Sequence, residues 1–310
     1  MRNNRKIVYG FLLAALAIGV ILFCIIQNNK TPKLEVVFLD VGQGDSILIS
    51  EGSQQLLIDG GKDGKLLLEK LGKYIPFWDR NIETIIETHP DQDHIGGLID
   101  VLKLYGVNSI LETKMQSDSQ TFKKLEDEIL KNKIEKIEAK KGVTIKFVSG
   151  AVAEVLYPFE SVTDVNGGDT NMYSVVVKLT VGDNKFLFTG DFPTTQENIL
   201  LESGTDVKVN FLKVAHHGSK YATSNAFLDV VSPSDAIISV AKNNSYGHPN
   251  QEVLQRLLQH RVNILRTDEV GDIVYKCQNL KCVTIHLFPT PTQPSKEKAI
   301  SEAPKPKFLF

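Results

Sequence analysis

The apolar residues change rhythm along the chain, and each rhythm predicts an element. Residues 34–39, 46–50 and 55–59 are short apolar runs bounded by Gly42, Gly44 and Gly52, which predicts three strands of an opening meander. Residues 65–74 repeat at helical spacing, and 82–88 reads as a strand. Residues 95–104 read as a helix whose apolar face recurs at Ile95, Leu98, Leu102 and Tyr105. A mixed-charge helix is predicted at 119–131, with lysines running on to Lys146. The interleaved Glu126, Asp127, Glu128, Glu135 and Glu138 make this a solvated face and not a nucleic-acid patch. The second half predicts strands at 144–147, 153–157, 173–181, 185–189, 206–214, 236–240, 273–275 and 283–287. Helices are predicted at 194–201, 225–230 and 251–260. Strands interspersed with helices suit an α+β fold of two packed sheets with helices outside.

Two stretches fall outside that pattern. Residues 7–26 are an uncharged, largely apolar run, long enough to cross a bilayer. Arg2, Arg5 and Lys6 precede it, so the positive-inside rule keeps the N-terminus in the cytoplasm and sends the remainder outside. No small-x-small cleavage pattern follows, and bulky Phe23 precedes Cys24, so an uncleaved anchor is expected over a signal peptide or lipoprotein. From Pro289 onward, Pro, Thr, Ser, Lys and Glu predict a disordered tail. The chain thus divides into a cytoplasmic 1–6, a transmembrane segment 7–26, a linker 27–32, one large domain 33–288 and a tail 289–310.

Charge sharpens the picture. The formal net charge of -2 hides an asymmetry, because the basic N-terminus and tail offset a core in which residues 7–288 carry 28 basic and 35 acidic groups. A protein that holds nucleic acid by its phosphates usually shows a basic footprint, and this core has none by composition. Bound metal ions would reverse the sign locally. Cys277 and Cys282 flank a short turn between strand-like runs, where a hairpin would bring them within disulfide reach in an oxidising compartment.

The candidate chemistry concentrates at His89-Pro-Asp91-Gln-Asp93-His94, after the apolar run 82–86. Two imidazoles and two carboxylates that close together cannot be buried bare without a large desolvation cost, which points to a divalent cation. Nitrogen and oxygen ligands without sulfur suit zinc or manganese. The other motif histidines are His216 and His217, in Val-Ala-His-His-Gly-Ser, and His248, in Tyr-Gly-His-Pro. Asp191 ends another apolar strand between the first two motifs. A site assembled along one sheet edge accounts for all of them. His260 and His286 lie outside any motif and are expected to be structural.

These residues resemble a known family. The order Leu39-Asp40-Val41-Gly42-Gln43-Gly44-Asp45-Ser46, Leu57-Ile58-Asp59-Gly60-Gly61, His89-x-Asp91-x-Asp93-His94, Thr189-Gly190-Asp191 and His216-His217-Gly218-Ser219 is similar to the metallo-β-lactamase superfamily. More narrowly it resembles the hydrolase domain of ComEC-type DNA-uptake proteins. Asp91 stands where the usual superfamily motif has histidine, as in the ComEC-like and phosphorylcholine-esterase-like branch, so β-lactam hydrolysis is not expected. The resemblance implies an αββα sandwich and two divalent metal ions. His89 and Asp91 would bind the first, Asp93, His94 and His217 the second, and Asp191 would bridge them. An Asn-x-x-Ser element matches Asn171 and Ser174, expected to contact substrate, in the interval where the superfamily has an extra histidine.

Further roles follow the same pattern. Asp93 would also orient the nucleophile, and Asp59 would hold a ligand histidine from behind. Tandem histidines in an extended segment point opposite ways, so His217 is assigned to metal and His216 to substrate, with the exchange of the two left open. His248 would protonate a leaving group or bind a phosphate oxygen, and Ser219 and Lys220 would meet phosphate at the rim. The expected function is a membrane-anchored, extracytoplasmic phosphodiesterase or nuclease acting on DNA. The alternatives are a phosphorylcholine-esterase-like hydrolase of surface or small-molecule phosphodiesters and a non-catalytic binding module. The sequence names no protein partner.

Overall fold

The computed structural model describes residues 2–28, 33–162, 168–278 and 281–285, without the side chains of 2–8 and 24–28. The tail 289–310, His286 and residues 29–32 of the expected linker lie outside the described residues.

The chain begins with helix α1 (Arg2–Asn28), then β1 (Leu34–Phe38), β2 (Ile47–Glu51), β3 (Gln54–Ile58), α2 (Gly64–Tyr74) and β4 (Asn81–Ile86). Next come α3 (Gln92–Ile95), α4 (Leu98–Leu104), β5 (Gly106–Glu112), α5 (Gln120–Asn132), β6 (Glu135–Glu138), β7 (Thr144–Lys146) and β8 (Val152–Tyr157). A 3-10 turn (Thr170–Tyr173) leads into β9 (Val176–Val181), β10 (Asn184–Phe188), α6 (Thr194–Glu202) and β11 (Phe211–Lys213). A second 3-10 turn (Ala215–Gly218) precedes α7 (Asn225–Val231), β12 (Asp235–Ile238), α8 (Gln251–Gln259), β13 (Asn263–Arg266), α9 (Thr267–Val270), β14 (Ile273–Gln278) and β15 (Lys281–Ile285).

The strands form two sheets, ordered β15-β14-β1-β2-β3-β4-β5-β6 and β13-β12-β11-β10-β9-β8-β7. Each is antiparallel on one side and parallel on the other, with the parallel part beginning at β3 in the first sheet and at β10 in the second. Period-two alternation explains the layering. On β1, Leu34, Val36 and Phe38 face the other sheet, while Val37 faces the helices. The inner layer centres on Phe38, Phe186, Phe188, Phe211 and Tyr275, with neighbouring ring centroids 4.4–6.1 Å apart. Truncating one such ring to alanine costs about 3–5 kcal/mol. Leu67, Val101 and Leu125 seat α2, α4 and α5 on the first sheet. Leu200, Phe227 and Val253 seat α6, α7 and α8 on the second. The four layers are the sandwich expected from the sequence.

Several boundaries differ from the sequence reading. Strands β5, β6 and β13 were not anticipated; β6 and β13 are short edge strands with few apolar residues, which carry little periodic signal. The predicted helix 95–104 is two helices, α3 and α4, separated by Gly96 and Gly97. An added Cβ on Gly97 would meet the Gly60 carbonyl oxygen at 2.1 Å, so this close approach requires glycine. Of the predicted strand 206–214 only Phe211–Lys213 pairs as one. Cys277 and Cys282 are directly opposed in the β14–β15 ladder and joined by a disulfide.

Helix α1 contains the apolar run 7–26, and its described side chains, 9–23, are all exposed. Among the described residues no helix is long and apolar enough to cross a membrane. The described side chains cover about 22 Å of helix, short of a hydrocarbon core of about 30 Å; the rest of the run lies outside them.

Candidate metal centre

The site forms where the parallel strands of both sheets end. Asp59 follows β3, His89 follows β4, Asp191 follows β10, and His216 and His217 follow β11. Asp93 and His94 lie in the single turn of α3. Gly44, at φ +116, lets the 41–45 loop press against this turn, since a Cβ there would lie 1.8 Å from the Asp93 carbonyl oxygen.

Asp191 sits at the centre with its two oxygens divided. Oδ1 lies 3.3 Å from His94 Nε2 and 3.5 Å from His217 Nε2. Oδ2 lies 3.9 Å from His89 Nε2 and 3.7 Å from His216 Nε2. His217 Nε2 is also 3.5 Å from Asp93 Oδ2, and His89 Nε2 is 3.8 Å from Asp91 Oδ2. Tetrahedral bonds of about 2.0–2.2 Å give ligand edges of about 3.3–3.6 Å. The Asp93, His94, His217 and Asp191 side therefore has tetrahedral spacing, and the His89, Asp91 and His216 side is looser.

The donor atoms fit a cation. His89 Nε2, His94 Nε2, His217 Nε2 and Asp191 Oδ1 are buried without a hydrogen-bond partner, a costly arrangement unless something positive meets them. Donor atoms of His89, His94 and Asp191 fall within 4.8 Å of one another, as do those of Asp93, His94 and His217. Two further groupings draw in Asp45, with Asp59 and His94 or with Asp191 and His217. There a cation is already present: Lys213 Nζ, fully buried, lies 2.6 Å from Asp45 Oδ2.

The opposite ring nitrogens are held from behind. His94 Nδ1 is 2.8 Å from Asp59 Oδ2, and Asp59 also accepts from Thr88 N and Thr88 Oγ1. His217 Nδ1 donates to the Ser239 carbonyl at 2.9 Å, with Asp45 Oδ1 3.4 Å away. His89 Nδ1 meets Thr88 Oγ1 at 3.0 Å and Ser174 Oγ at 3.5 Å. Each of these arrangements aims Nε2 at the centre.

Electrostatics follows from burial and these partners. Burial works against a charged His217, yet Asp191, Asp45 and Asp93 push it up to about 9. His94 is likewise raised against burial, by Asp191 and Asp59. Burial and then His94 push His89 down to about 3. Asp191 stays far below the usual carboxylate range, because His217 and His94 outweigh its burial. Burial, then His216 and His217, push His248 down to about 4.

The structure corrects several roles read from the sequence. The segment carrying His216 and His217 is not extended: both residues adopt left-handed φ, +49° and +53°, and both rings face Asp191. Ser174 is fully buried, and its Oγ accepts the Asp191 N–H at 3.2 Å, so it orients ligands and is closed to substrate. Asn171 stands in the 3-10 turn where Thr170 Oγ1 donates to Asp91 at 2.6 Å. Ser219 Oγ accepts from Tyr221 N, and Lys220 Nζ lies over the Tyr221 ring, so neither points its polar end at the centre. The half-buried His248 packs 5.5 Å from the His216 ring. His260 lies 3.7 Å from Asp229, away from the centre. Asp45, Thr88, Lys213 and Ser239 were missed; the only sequence signal was Asp45 within the glycine-rich motif.

The profile of the Metallo-beta-lactamase superfamily matches residues 39–242. The chain is 30% identical over 272 residues to ComE operon protein 3 of Bacillus subtilis, covering 82% of this chain and 34% of that protein. It is 28% identical over 264 residues to Recombination protein 2 of Haemophilus influenzae, covering 82% and 31%. It thus spans about a third of the length of these relatives. The metallo-beta-lactamase fold protein YhfI from Bacillus subtilis shares the fold at a TM-score of 0.51 and 14% identity, over 78% of this chain and 99% of that one. With both sheets in place and the His/Asp cluster at their parallel ends, the chain belongs to the metallo-beta-lactamase superfamily of hydrolases.

Proposed function

We propose that this chain is a binuclear metal-dependent phosphodiesterase acting on DNA. The carrying observation is the divided Asp191 carboxylate, with Oδ1 turned to His94 and His217 and Oδ2 to His89 and His216. Asp93, His94 and His217 would hold one ion, zinc or manganese, and His89, Asp91 and His216 the other. His216 thereby takes the place of the histidine missing from the sequence motif. Two such ions supply Lewis acidity toward phosphoryl oxygens and activate water at neutral pH.

The chain's own residues do the remaining work. Asp59 and Ser239 fix the His94 and His217 rings, and Asp93 is placed to accept a proton from the attacking water. The half-buried His248 ring stands beside His216 and would meet a phosphate oxygen there. The likeness to Recombination protein 2 supports DNA as the substrate. One observation favours a small phosphodiester with a cationic head group, as in phosphorylcholine-esterase-like hydrolases. A cleft of about 620 Å³ reaches Thr170, the partner of Asp91, and is lined by Asp118, Glu126 and Asp127 against a single Lys123.

We place the chain in a membrane, anchored by α1 with residues 33–288 outside the cytoplasm. The uncharged 7–26 run, its basic flank and the exposed apolar side chains from Tyr9 to Phe23 support this. Protease added to intact spheroplasts tests it, and a domain protected until lysis would reverse the topology. The full chain in detergent, loaded with zinc or manganese, should hydrolyse single- or double-stranded DNA and bis-nitrophenyl phosphate. Hydrolysis of the small ester with both DNAs untouched would favour the head-group reading. A folded, metal-loaded protein inert on all three would be a binding module.

A further inference from the structure

The end of the sandwich away from the metal centre carries an unusual surface. Phe77 and Trp78 are 79% and 74% exposed, and their rings meet edge-on with centroids 4.9 Å apart. Adjacent large aromatics left in water are a sign of an interaction site. They precede β4 in a loop fastened to the start of β3, where Gln55 Nε2 donates to Asp79 Oδ2 at 3.1 Å. The register Leu34↔Glu51, Glu51↔Gln54 and Leu56↔Thr84 brings the starts of β1, β3 and β4 to one level. Phe77 and Trp78 therefore share an end with Leu34, where the chain arrives from α1, while Asp59 and His89 lie at the other. Lys33 and Arg80 are exposed at the same end, as is Lys73, which pairs with exposed Glu69 at 3.6 Å.

The tether is short. Residues 29–33 separate α1 from β1, and five residues span at most about 18 Å. We infer that Phe77 and Trp78, flanked by Lys73 and Arg80, form the surface on which the domain rests against the bilayer that holds α1. This rests on the membrane reading proposed above. Tryptophan with an aromatic neighbour is at home at the headgroup boundary, and the basic residues face anionic lipid. The consequence concerns substrate. Strands of five or six residues rise about 17–20 Å from this surface to the site, so the metal centre opens away from its own membrane. Substrate arrives from the bulk, as a polymer would, and is not a head group of the supporting bilayer.

Trp78 is the only tryptophan in the chain, so its fluorescence reports on this surface alone. The full chain is reconstituted into phosphatidylcholine–phosphatidylglycerol vesicles carrying bromine shallow or deep in the acyl chains. The expected result is a blue-shifted emission, quenched about twofold more by shallow than by deep bromine, as an interfacial position requires. The shift should weaken in Lys73→Gln/Arg80→Gln. A chain that floats with the vesicles while Trp78 stays solvent-like and unquenched overturns the inference and leaves the anchor standing. A chain that does not float removes both. A concentration-dependent blue shift in detergent, unchanged by vesicles, would assign the surface to a second copy of the chain and overturn the inference.

Discussion

Two buried acidic clusters lie at the same ends of neighbouring strands, and only one of them is built for metal. Around Asp191, carboxylates interleave with His89, His94 and His217, whose Nε2 atoms are left open. Next to it, Glu87 and Glu112 follow and end β4 and β5, facing each other and Lys136, whose Nζ lies 2.6 Å from Glu112 Oε1. Burial, and then Glu112, raise Glu87 well above the carboxylate range; burial raises Glu112 to about 7. The glutamate cluster manages its charge with protons and one ammonium. Asp191, held low by His217 and His94 against its burial, keeps its negative charge for a cation. Burial is common to both, and the imidazoles make the difference.

The comparison breaks most sharply at the ligands. Asp191→Ala and His89→Ala should each reduce hydrolysis to background, with bound metal measured by mass spectrometry falling by one or two equivalents. Full activity in a folded, metal-depleted Asp191→Ala protein would sink the binuclear mechanism. Lys213→Met comes next, because it strands the fully buried Asp45 carboxylate, a loss of about 3–5 kcal/mol in denaturant titration. Adding Asp45→Asn should restore most of that stability, while metal affinity stays about 10–100-fold weaker because His217 loses the Asp45 charge 3.4 Å behind it. A double variant with native affinity would confine the pair to folding.

His248→Ala should lower turnover about a hundredfold with metal content unchanged. The loss should be similar for good and poor leaving groups if the residue binds phosphate. A loss confined to poor leaving groups would make His248 a proton donor after all.

Protons sharpen the contrast from the other side. In the metal-free protein His217, pushed up to about 9, and the raised His94 hold protons at pH 7. Metal must expel them, so affinity should climb with pH until about 9. Calorimetry in buffers of different ionisation enthalpy should find protons released at pH 7, and zero release would contradict the assignment. The smallest effect belongs to the glutamates. Glu112 has a folded pKa raised from 4.5 to about 7, so its contribution is complete below the unfolded value and fades as pH rises through that window. Glu112→Gln should flatten the decline in stability between these limits in urea melts, and an unchanged slope would count against a shared proton.

Much of this was legible in the sequence, for identifiable reasons. His89 to His94 crowd together, and Asp191 and His217 each close an apolar strand, so strand ends alone assembled most of the ligand set. The face of His216 was not legible, because nothing in a His-His pair announces two consecutive left-handed residues. Lys213 reads as an ordinary polar residue and Asp45 as part of a motif without a stated role, and only the packing of one sheet on the other makes them a pair. Edge strands β6 and β13 lacked the apolar alternation that revealed most of the central ones, β5 excepted.

The closing hairpin has a consequence for how the chain is made. β14 and β15 come last in sequence, yet β14 lies against β1, the first strand of the domain. Until residues 273–278 leave the ribosome, the apolar Leu34–Phe38 strand keeps an open edge, the kind of surface on which chains pair with one another. Any fragment ending before Ile273 should therefore aggregate through β1 even though every metal ligand is present, and the two ends of the domain must mature together.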